Sequence, residues 1–221
     1  MNIKNENLYN LEKTIASELI SKNEYPWEVL SGIKNFIIEK GSQLSLEKFN
    51  KINENVWIAK NAKVAKSAEI NGPCIIDENA EVRQCAFIRG SVIVGKDCVV
   101  GNSTELKNCI LFDNVQVPHF NYIGDSILGY KSHMGAGAVT SNVKSDKSLV
   151  EIKSKSETIK TGLKKVGAML GDYVEVGCNS VLCPGTIIGK NTNIYPLSMV
   201  RGVIGENKIY KDKSDIIDKI N

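Results

Sequence analysis

The residues best suited to chemistry in this sequence surround a histidine, in the stretch Pro118–Tyr122. His119 is one of only two histidines, the other being His133, and Tyr122 follows it by three positions. Histidine titrates near neutral pH, so it can accept a proton from an amine as that amine attacks a carbonyl carbon. We therefore take His119 as a candidate general base, with a purely structural histidine as the alternative.

Two cations, Arg89 and Lys107, lie 18 residues apart, each directly after a large residue of the repeat described below. If 18 residues make one full coil, these side chains stack about one strand spacing apart on the same face. We expect no acidic residue in phase with them, so the pair is a candidate clamp for a phosphate group. The alternative is two solvated surface charges.

These residues are embedded in a six-residue repeat of large apolar side chains. It runs ten times without a gap, as Ile58, Val64, Ile70, Ile76, Val82, Ile88, Val94, Val100, Leu106 and Phe112. A period of six fits neither an α-helix nor one long strand. It fits a short strand followed by a corner, and three such units make a coil that can stack into a parallel β-solenoid.

The repeat is interrupted in two places. It stops at Pro118, recovers at Leu128 and Met134, and stops again after Val139. It then resumes as Leu170, Val176, Leu182, Ile188, Ile194 and Val200. Glycine often follows the large residue, which indicates tight corners. We interpret the first interruption, with its histidine, as a departure from the repeat that serves chemistry.

The repeat divides the chain into three parts. Residues 1–52 show helical apolar spacing, with one helix predicted over 7–22 and another from Pro26 to Gly41. Two short helices bury little surface, so we expect them to dock on the end of the solenoid or on a neighbouring subunit. Residues 53–208 form the solenoid, and residues 209–221 form a polar tail that could end in a short helix.

Residues 142–165 are predicted to leave the solenoid as a hairpin-like excursion. Seven lysines face three acidic residues there, a local charge of +4 against +3 for the whole chain. Two interpretations stay open for this segment, a solvated loop and a contact with phosphate.

Composition limits the functions that the chain can have. The 221 residues include 28 basic and 25 acidic ones with 6% aromatics, which does not favour nucleic-acid binding. No apolar run approaches the roughly 18 residues of a membrane span, and the N-terminus lacks a signal-peptide core. We expect a cytoplasmic protein. None of the six cysteines forms a CxxC pair, so we predict no metal site and mostly reduced, packed thiols such as Cys74 and Cys98.

The phase of the repeat places His119 away from the two cations. His119 follows Lys107 by two six-residue units, so it should lie on a different face of a triangular coil. One prism cannot bring all its faces to a single point, whereas three prisms around a threefold axis can bring a face of one chain to a different face of the next. We therefore expect a homotrimer with its sites between subunits.

The motif HFNYIGD at 119–125, followed by MGAG at 134–137 and TSN at 140–142, resembles glucosamine-1-phosphate N-acetyltransferase. In that family this domain is the C-terminal part of a bifunctional enzyme that also makes UDP-N-acetylglucosamine. Archaeal sugar-1-phosphate nucleotidylyltransferase/acetyltransferases resemble the chain more strongly still, including the lysine-rich excursion. The resemblance covers about residues 56–208. It implies a left-handed parallel β-helix and acetyl-CoA as co-substrate.

The resemblance also implies roles for individual residues. His119 would be the general base, and Asn142 and Cys178 would assist the acyl transfer. The sugar phosphate would be held by Arg89, Lys107, Tyr122, Asn142 and Lys147. Acetyl-CoA would lie along Ala136 and Cys178. Cys178 stands where bacterial members carry a serine, and a thiol donates a hydrogen bond more weakly than a hydroxyl. His133 stands where they carry an asparagine.

There are three alternatives to N-acetylation of glucosamine 1-phosphate. The acceptor could be another amine, such as galactosamine 1-phosphate, a nucleotide-linked amino sugar or serine. A zinc carbonic anhydrase on the same solenoid needs three histidine ligands, more than the two of this chain. The chain could also be a non-catalytic β-helix that binds a separate nucleotidylyltransferase through its N-terminal helices. No glycine-rich nucleotide signature opens the chain, so we expect no uridylyl transfer from it.

Overall fold

Three stacks of short parallel strands make up most of the molecule, which a computed structural model describes over residues 2–154 and 158–220. Each coil of the chain adds one strand to each stack, so the stacks form the three sides of a prism. We call them face 1, face 2 and face 3, in the order in which the chain meets them. The predicted fold class, a mainly β, parallel β-helix with a small N-terminal helical segment, is confirmed.

Each strand pairs with the strands one coil before and one coil after it. Face 1 contains β2 (Val56–Ala59), β5 (Cys74–Ile76), β8 (Val92–Val94), the second halves of β10 (Glu105–Leu111) and β12 (Tyr122–Leu128), β17 (Ala168–Leu170), β20 (Thr186–Ile188) and β23 (Val203–Ile204). Face 2 contains β3 (Lys63–Val64), β6 (Glu81–Val82), β9 (Val99–Asn102), β11 (Gln116–His119), β13 (His133–Met134), β18 (Glu175–Val176), β21 (Asn193–Ile194) and β24 (Lys208–Tyr210). Face 3 contains β4 (Glu69–Ile70), β7 (Phe87–Ile88), the first halves of β10 and β12, β14 (Val139–Thr140), β19 (Val181–Leu182) and β22 (Met199–Val200).

Two successive coils are one residue shorter than the coils before them. Val94 pairs with Leu111, and Leu111 pairs with Leu128, at intervals of 17 residues, whereas the preceding coils repeat every 18. The sequence repeat was expected to continue to Phe112, and this is wrong, because Leu111 occupies the inward position. In each of these coils the missing residue falls at the corner between faces 3 and 1, at 107–108 in β10 and at 124–125 in β12, and each strand runs through this corner as seven residues.

The inward side chains form a dry apolar interior. Ile76, Ile88 and Leu106 have no exposed surface, and Cys74 and Cys98 fill small inward positions as predicted. Both cysteines are free thiols, and burial raises their pKa well above the ordinary value, so they stay protonated. Such an interior leaves only the outer surface and edges of the prism for a binding site.

Glycines at the corners allow successive coils to approach each other closely. A Cβ on Gly101 would collide with the backbone of Pro118, one coil later, and a Cβ on Gly177 would collide with Pro196. Neither glycine has a left-handed backbone. That conformation is held at the corners by other residues, including Asn108 and Asn179. The Gly101 contact matters most, because it sets how closely the segment that carries His119 stacks on the preceding coil.

The N-terminal segment packs against face 1 rather than on the end of the solenoid. It comprises α1 (Asn5–Leu8), α2 (Ser17–Ser21) and α3 (Ile33–Ser42), with 3-10 turns at Leu11–Lys13 and Pro26–Ser31. Helix α3 contacts β5, β8 and β10, and the outward side chains Ile75, Ile93 and Ile110 of those strands are fully buried. The expected docking on the solenoid end is therefore wrong. Within residues 2–154 and 158–220, no helix is long and apolar enough to cross a membrane.

The single helix predicted over 7–22 is instead broken into short pieces. Its backbone groups bond to the solenoid: the Leu8 carbonyl accepts from the Asp172 N–H at 3.0 Å, and the Lys13 carbonyl accepts from the Asp113 N–H at 2.9 Å. A carbonyl used in this way no longer favours a continuous helix. The second predicted helix begins at Pro26 as expected but divides at Gly32.

Asp172 joins the N-terminal segment to the solenoid, and we expect Asp172→Asn to destabilise the fold. Its buried carboxylate accepts from the Asn10 N–H at 2.7 Å and from the Tyr130 N–H at 2.9 Å. An amide would place an NH₂ group against one of these donors, which should lower the free energy of unfolding by about 1–3 kcal/mol. Urea denaturation measures the change. Asp97→Asn, at an exposed corner, is the control and should stay within about 0.5 kcal/mol of the parent. Equal losses in both variants would contradict the role given to Asp172.

Three antiparallel pairings lie outside the parallel stacks, one where the chain enters the solenoid, one in the excursion and one in the tail. Strand β1 (Phe49–Asn53) pairs with β2, β15 (Glu151–Lys153) pairs with β16 (Thr158–Lys160), and β25 (Ile216–Asp218) pairs with β24. The predicted hairpin is thus present, although its turn at 155–157 lies outside the described residues. The short helix suggested for the tail is wrong, because β24 offers an open strand edge to β25.

Candidate active site

The edge of the prism between faces 2 and 3 carries three of the predicted site residues. His119, Ala136 and Cys178 occupy this corner on successive coils. The N–H of Gly137 donates to the His119 carbonyl at 3.0 Å, and the N–H of Asn179 donates to the Ala136 carbonyl at 2.8 Å. We call this corner, made of residues 119–121, 136–138, 178–180 and 196–198, the histidine edge.

The imidazole of His119 is exposed and available to a ligand. No hydrogen bond or ion pair within residues 2–154 and 158–220 uses it. His133 differs, because its Nδ1 lies 2.9 Å from the Glu175 Oε2 on face 2. Of the two histidines, His119 is therefore the one whose ring is free to exchange a proton with a reactant.

Asn121 fixes the position of the histidine turn. Its side chain is only 2% exposed, and its Nδ2 donates to the carbonyls of Gly135 at 2.8 Å and Ala138 at 3.0 Å. Its Oδ1 accepts from the His119 N–H at 3.1 Å. One side chain thus ties the turn at His119 to the turn at Ala136. Asn121 was not predicted as a site residue, because its inward position follows from the one-residue slip of the coil, which places it one coil after Thr104.

Asn121→Ala should therefore loosen the histidine edge. Three hydrogen bonds are lost and buried polar groups are left without partners, so we expect the free energy of unfolding to fall by about 3 kcal/mol. Urea denaturation is the measurement. Asn71→Ala is the matched control, since Asn71 is exposed and its side chain forms no hydrogen bond in the described part of the chain. A loss below about 1 kcal/mol for Asn121→Ala would show that the edge is held by other contacts.

Two backbone donors on the histidine edge are unused. No hydrogen bond among the described residues engages the N–H of Ala136 or of Cys178, whereas the N–H groups of Gly137 and Asn179 are paired. The Cys178 side chain is exposed, and its Sγ lies against Gly135. Free N–H groups at an exposed corner can donate to a carbonyl or an oxyanion of a ligand.

A second polar group occupies the edge between faces 3 and 1, at the shortened corner. We call it the aspartate cluster, and it consists of Lys107, Asn108, Tyr122, Asp125 and Asn142. The Lys107 ammonium donates to both Asp125 oxygens, at 3.0 and 3.1 Å. The side-chain amides of Asn108 and Asn142 donate to the same carboxylate at 2.8 and 2.6 Å.

Arg89 and Lys107 stack as predicted, but they are not free cations. Ile88 pairs directly with Leu106, so the residues that follow them are neighbours across the two coils. Arg89 donates to Glu105 at 2.8 Å, and Lys107 is held by Asp125. The expectation that no acidic residue lies in phase is therefore wrong. Asp125 follows Lys107 by 18 residues, the same interval that separates Lys107 from Arg89.

Tyr122 and Asn142 belong to the same group. The Asn142 Nδ2 donates to the Tyr122 hydroxyl at 3.2 Å, and the ring lies over Gly124, where a Cβ would collide with the hydroxyl. Burial raises the pKa of Tyr122, so its hydroxyl stays protonated and can donate to a ligand. Lys147 forms no hydrogen bond or ion pair with this cluster in the described part of the chain.

The histidine edge and the aspartate cluster border the same face of the prism. His119 ends β11 on face 2 and Lys107 lies in β10, so the predicted separation onto different faces is confirmed. Face 3 nevertheless runs between them, and its width of three residues is roughly 10 Å. The outward positions of this face include exposed apolar side chains, since Phe87, Val181 and Met199 are 37%, 39% and 65% exposed. Glu69 and Glu105 occupy other outward positions of the same face.

Comparison with known proteins gives this arrangement a family. The model of the GMPPB C-terminal domain matches residues 70–204, more than half of the chain. The chain belongs to the GMPPB C-terminal domain family. The match runs from β4 to β23, so it includes both the histidine edge and the aspartate cluster.

Two relatives of this GMPPB C-terminal domain chain support the resemblance found in its sequence. Bifunctional protein GlmU of Methanococcus maripaludis is 35% identical over 198 residues, which is 88% of this chain and 48% of the relative. Bifunctional sugar-1-phosphate nucleotidylyltransferase/acetyltransferase of Sulfurisphaera tokodaii is 32% identical over 112 residues, 51% of this chain and 28% of the relative. The chain thus spans about half the length of the first relative and less than a third of the second. The predicted resemblance is confirmed.

Solved structures also match the GMPPB C-terminal domain chain. One is the acetyltransferase domain of PglB from Neisseria gonorrhoeae, with 19% identity and a TM-score of 0.32 over 77% of this chain and 72% of that one.

Proposed function

We propose that this chain is an acetyl-CoA-dependent N-acetyltransferase whose acceptor is an amino-sugar 1-phosphate, with glucosamine 1-phosphate as the physiological acceptor. The observation that carries the proposal is the free imidazole of His119 on the same edge as two unused backbone N–H groups. The names of the relatives, one of them a nucleotidylyltransferase/acetyltransferase, support the same class of reaction.

In the proposed reaction the sugar 2-amine attacks the thioester carbonyl of acetyl-CoA. His119 accepts the amine proton as the nitrogen–carbon bond forms, and then returns it to the sulfur as the carbon–sulfur bond breaks. The products are free coenzyme A and the N-acetyl sugar phosphate. The N–H groups of Ala136 and Cys178 donate to the oxyanion that forms on the carbonyl oxygen, with the Cys178 thiol as a weaker additional donor.

The acceptor is proposed to lie across face 3. Its 2-amine and 1-phosphate are on adjacent carbons, so the sugar would sit between the two borders. His119 would reach the amine from the histidine edge, and the Arg89, Lys107 and Tyr122 side chains would reach the phosphate from the other border. The Asn142 Nδ2 already donates to Tyr122 and Asp125, so Asn142 would contact the sugar through its Oδ1. The Arg89–Glu105 pair is 46% and 34% exposed in its side chains, so it contributes little to stability and can open for a phosphate. Lys147 stays a proposed sugar contact on the resemblance alone.

The site is proposed to be completed by a neighbouring copy in a homotrimer. Phe87, Val181 and Met199 of face 3 are exposed within the described chain, in contrast to Ile75, Ile93 and Ile110 of face 1, which the N-terminal helices bury. A second copy against face 3 would remove this surface from water and close the groove over the acceptor. The phase of the repeat supports assembly only weakly, because the histidine edge and the aspartate cluster already border the same face of one chain. The exposed apolar side chains of face 3 are the stronger support.

An acceptor panel tests the proposal. Release of free thiol from acetyl-CoA is measured with glucosamine 1-phosphate, galactosamine 1-phosphate, nucleotide-linked amino sugars and serine, and the product is identified by mass. We expect the fastest release with glucosamine 1-phosphate and none with glucose 1-phosphate, which lacks the amine. Absence of thiol release with every amine, together with no binding of acetyl-CoA by calorimetry, would overturn the proposal and favour a non-catalytic partner of a separate nucleotidylyltransferase.

A further inference from the structure

We infer that Asp125 is the positioning residue of the acceptor site, holding the Lys107 ammonium and the Asn142 amide at fixed points before the acceptor binds. The inference rests on the proposed function and names a residue beyond those predicted from the sequence. Asp125 does not touch the acceptor in this scheme. It acts through the two side chains that do.

The Asp125 carboxylate accepts hydrogen bonds from three different side chains. It is 3% exposed, and it accepts from Lys107, Asn108 and Asn142 through four contacts of 2.6 to 3.1 Å. A buried carboxylate without such partners would be very costly, so these donors cannot be released independently. Lys107 is therefore held in one place, in contrast to Arg89 in its exposed pair with Glu105.

Asp125 also holds both ends of the excursion, one through its carboxylate and the other through its backbone carbonyl. Asn142, which bonds its carboxylate, is where the chain leaves the solenoid, and the N–H of Gly167 donates to the Asp125 carbonyl at 2.7 Å where the chain returns. The Val166 N–H closes the base of the excursion on the Asn142 carbonyl at 3.0 Å. Asp125 thus sets the position of Asn142 from two sides.

The shortened corner explains why a carboxylate can sit there. Asp125 and Asn108 both have a left-handed backbone, with φ of 48° each, a conformation that aspartate and asparagine tolerate better than most residues. Because the coil has lost one residue at 107–108, Lys107 is in register with Gly124 and its ammonium reaches the next residue, Asp125. The geometry that interrupts the repeat therefore also builds the cluster.

Asp125→Asn is the first test. The amide can accept on one side only, so the Lys107 ammonium and the Asn142 amide lose their common partner. We expect the KM for the amino-sugar phosphate to rise by about tenfold or more, with the KM for acetyl-CoA within about twofold of the parent. Lys107→Met should raise the acceptor KM by a smaller factor in the Asp125→Asn background than in the parent, because part of the Lys107 contribution depends on its pairing with Asp125.

Two further variants separate positioning from loss of fold. Asp172→Asn is the matched control, since Asp172 is equally buried, also follows a glycine and also holds its neighbours by hydrogen bonds, but lies on the edge between faces 1 and 2. It should destabilise the chain and leave both KM values unchanged. Asn108→Gly keeps the left-handed backbone and removes one donor from Asp125, so the acceptor KM should rise a few-fold even if Asp125→Asn does not fold.

The outcomes distinguish the inference from the proposed function. If the parent chain releases no thiol with any amine, the proposed function fails. Positioning is then measured by hydrogen exchange of the Asn142 side-chain amide in NMR spectra, which should quicken at least about tenfold in Asp125→Asn or Asn108→Gly and stay unchanged in Asp172→Asn. An unchanged acceptor KM in an active, folded Asp125→Asn variant, or an unchanged Asn142 amide, would overturn the role of Asp125.

Discussion

His119→Ala should lower the rate of thiol release from acetyl-CoA by about 10²- to 10⁴-fold, the usual contribution of a positioned general base. The imidazole is exposed and makes no hydrogen bond or ion pair in the described part of the chain, so its removal leaves no buried group without a partner. We therefore expect the free energy of unfolding to change by less than about 0.5 kcal/mol. The rate is measured with saturating glucosamine 1-phosphate and acetyl-CoA, so that the change is in kcat.

His133→Ala is the matched control for this prediction. His133 is the other histidine, it is also on the outer surface, and it pairs with Glu175 at 2.9 Å on face 2. Its loss removes one surface pair of small energetic value, so the rate should stay within a few-fold of the parent. If His119→Ala releases thiol at the same rate as the parent, His119 is not the general base. A large loss in both variants would point instead to a shared structural requirement.

The solenoid could be predicted from the sequence because its signal is local. Residues such as Ile76, Val82 and Ile88 recur at the interval that one strand and one corner require. The one-residue slip could not be seen, because Cys109 to Phe112 is a continuous apolar run in which Leu111 and Phe112 are equally plausible inward residues. Only the pairing of Leu111 with Val94 decides between them.

The sequence contains a signal for the docking of the N-terminal helices on face 1. Ile75 and Ile93 each directly precede an inward residue, so they face outward, and an apolar outward position repeated in coil after coil requires a cover. The outward residues of face 2, such as Lys63 and Glu81, show no such pattern. The helix breaks could not be foreseen, since they depend on backbone bonds to residues far along the chain.

The sequence predicted that Lys107, Tyr122 and Asn142 belong to one site, and the structure places them in one cluster, but the hydrogen bonds among them were not predicted. The resemblance supplied His119, Lys107, Tyr122 and Asn142, but residue types alone do not show which charges are already paired. The 18-residue interval that related Arg89 to Lys107 also reaches Asp125, so the acidic partner was open to the same arithmetic. Its burial was not, because it depends on the shortened corner.

Met199→Asp should convert the proposed trimer to monomers and lower thiol release by roughly 100-fold, although Met199 lies apart from His119 and Asp125. Met199 is 65% exposed on β22 of face 3, so the single chain can carry the new carboxylate without a change of fold. In an assembly with face 3 against a neighbour, the same carboxylate would be buried without a partner, and its desolvation opposes association. Sedimentation velocity measures the size of the particle, and the acceptor assay measures the rate.

Leu46→Asp is the control for the effect of placing an aspartate at an exposed apolar position outside face 3. Leu46 is 70% exposed in the turn between α3 and β1, so the chemical change and the exposure match those of Met199→Asp at a place outside face 3. It should leave both particle size and rate unchanged. If Met199→Asp stays as large and as active as the parent, face 3 is not the interface. If it becomes monomeric but keeps its rate, the site is complete within one chain. Only joint loss of size and rate, with Leu46→Asp unaffected, supports a groove that a neighbouring copy closes over face 3.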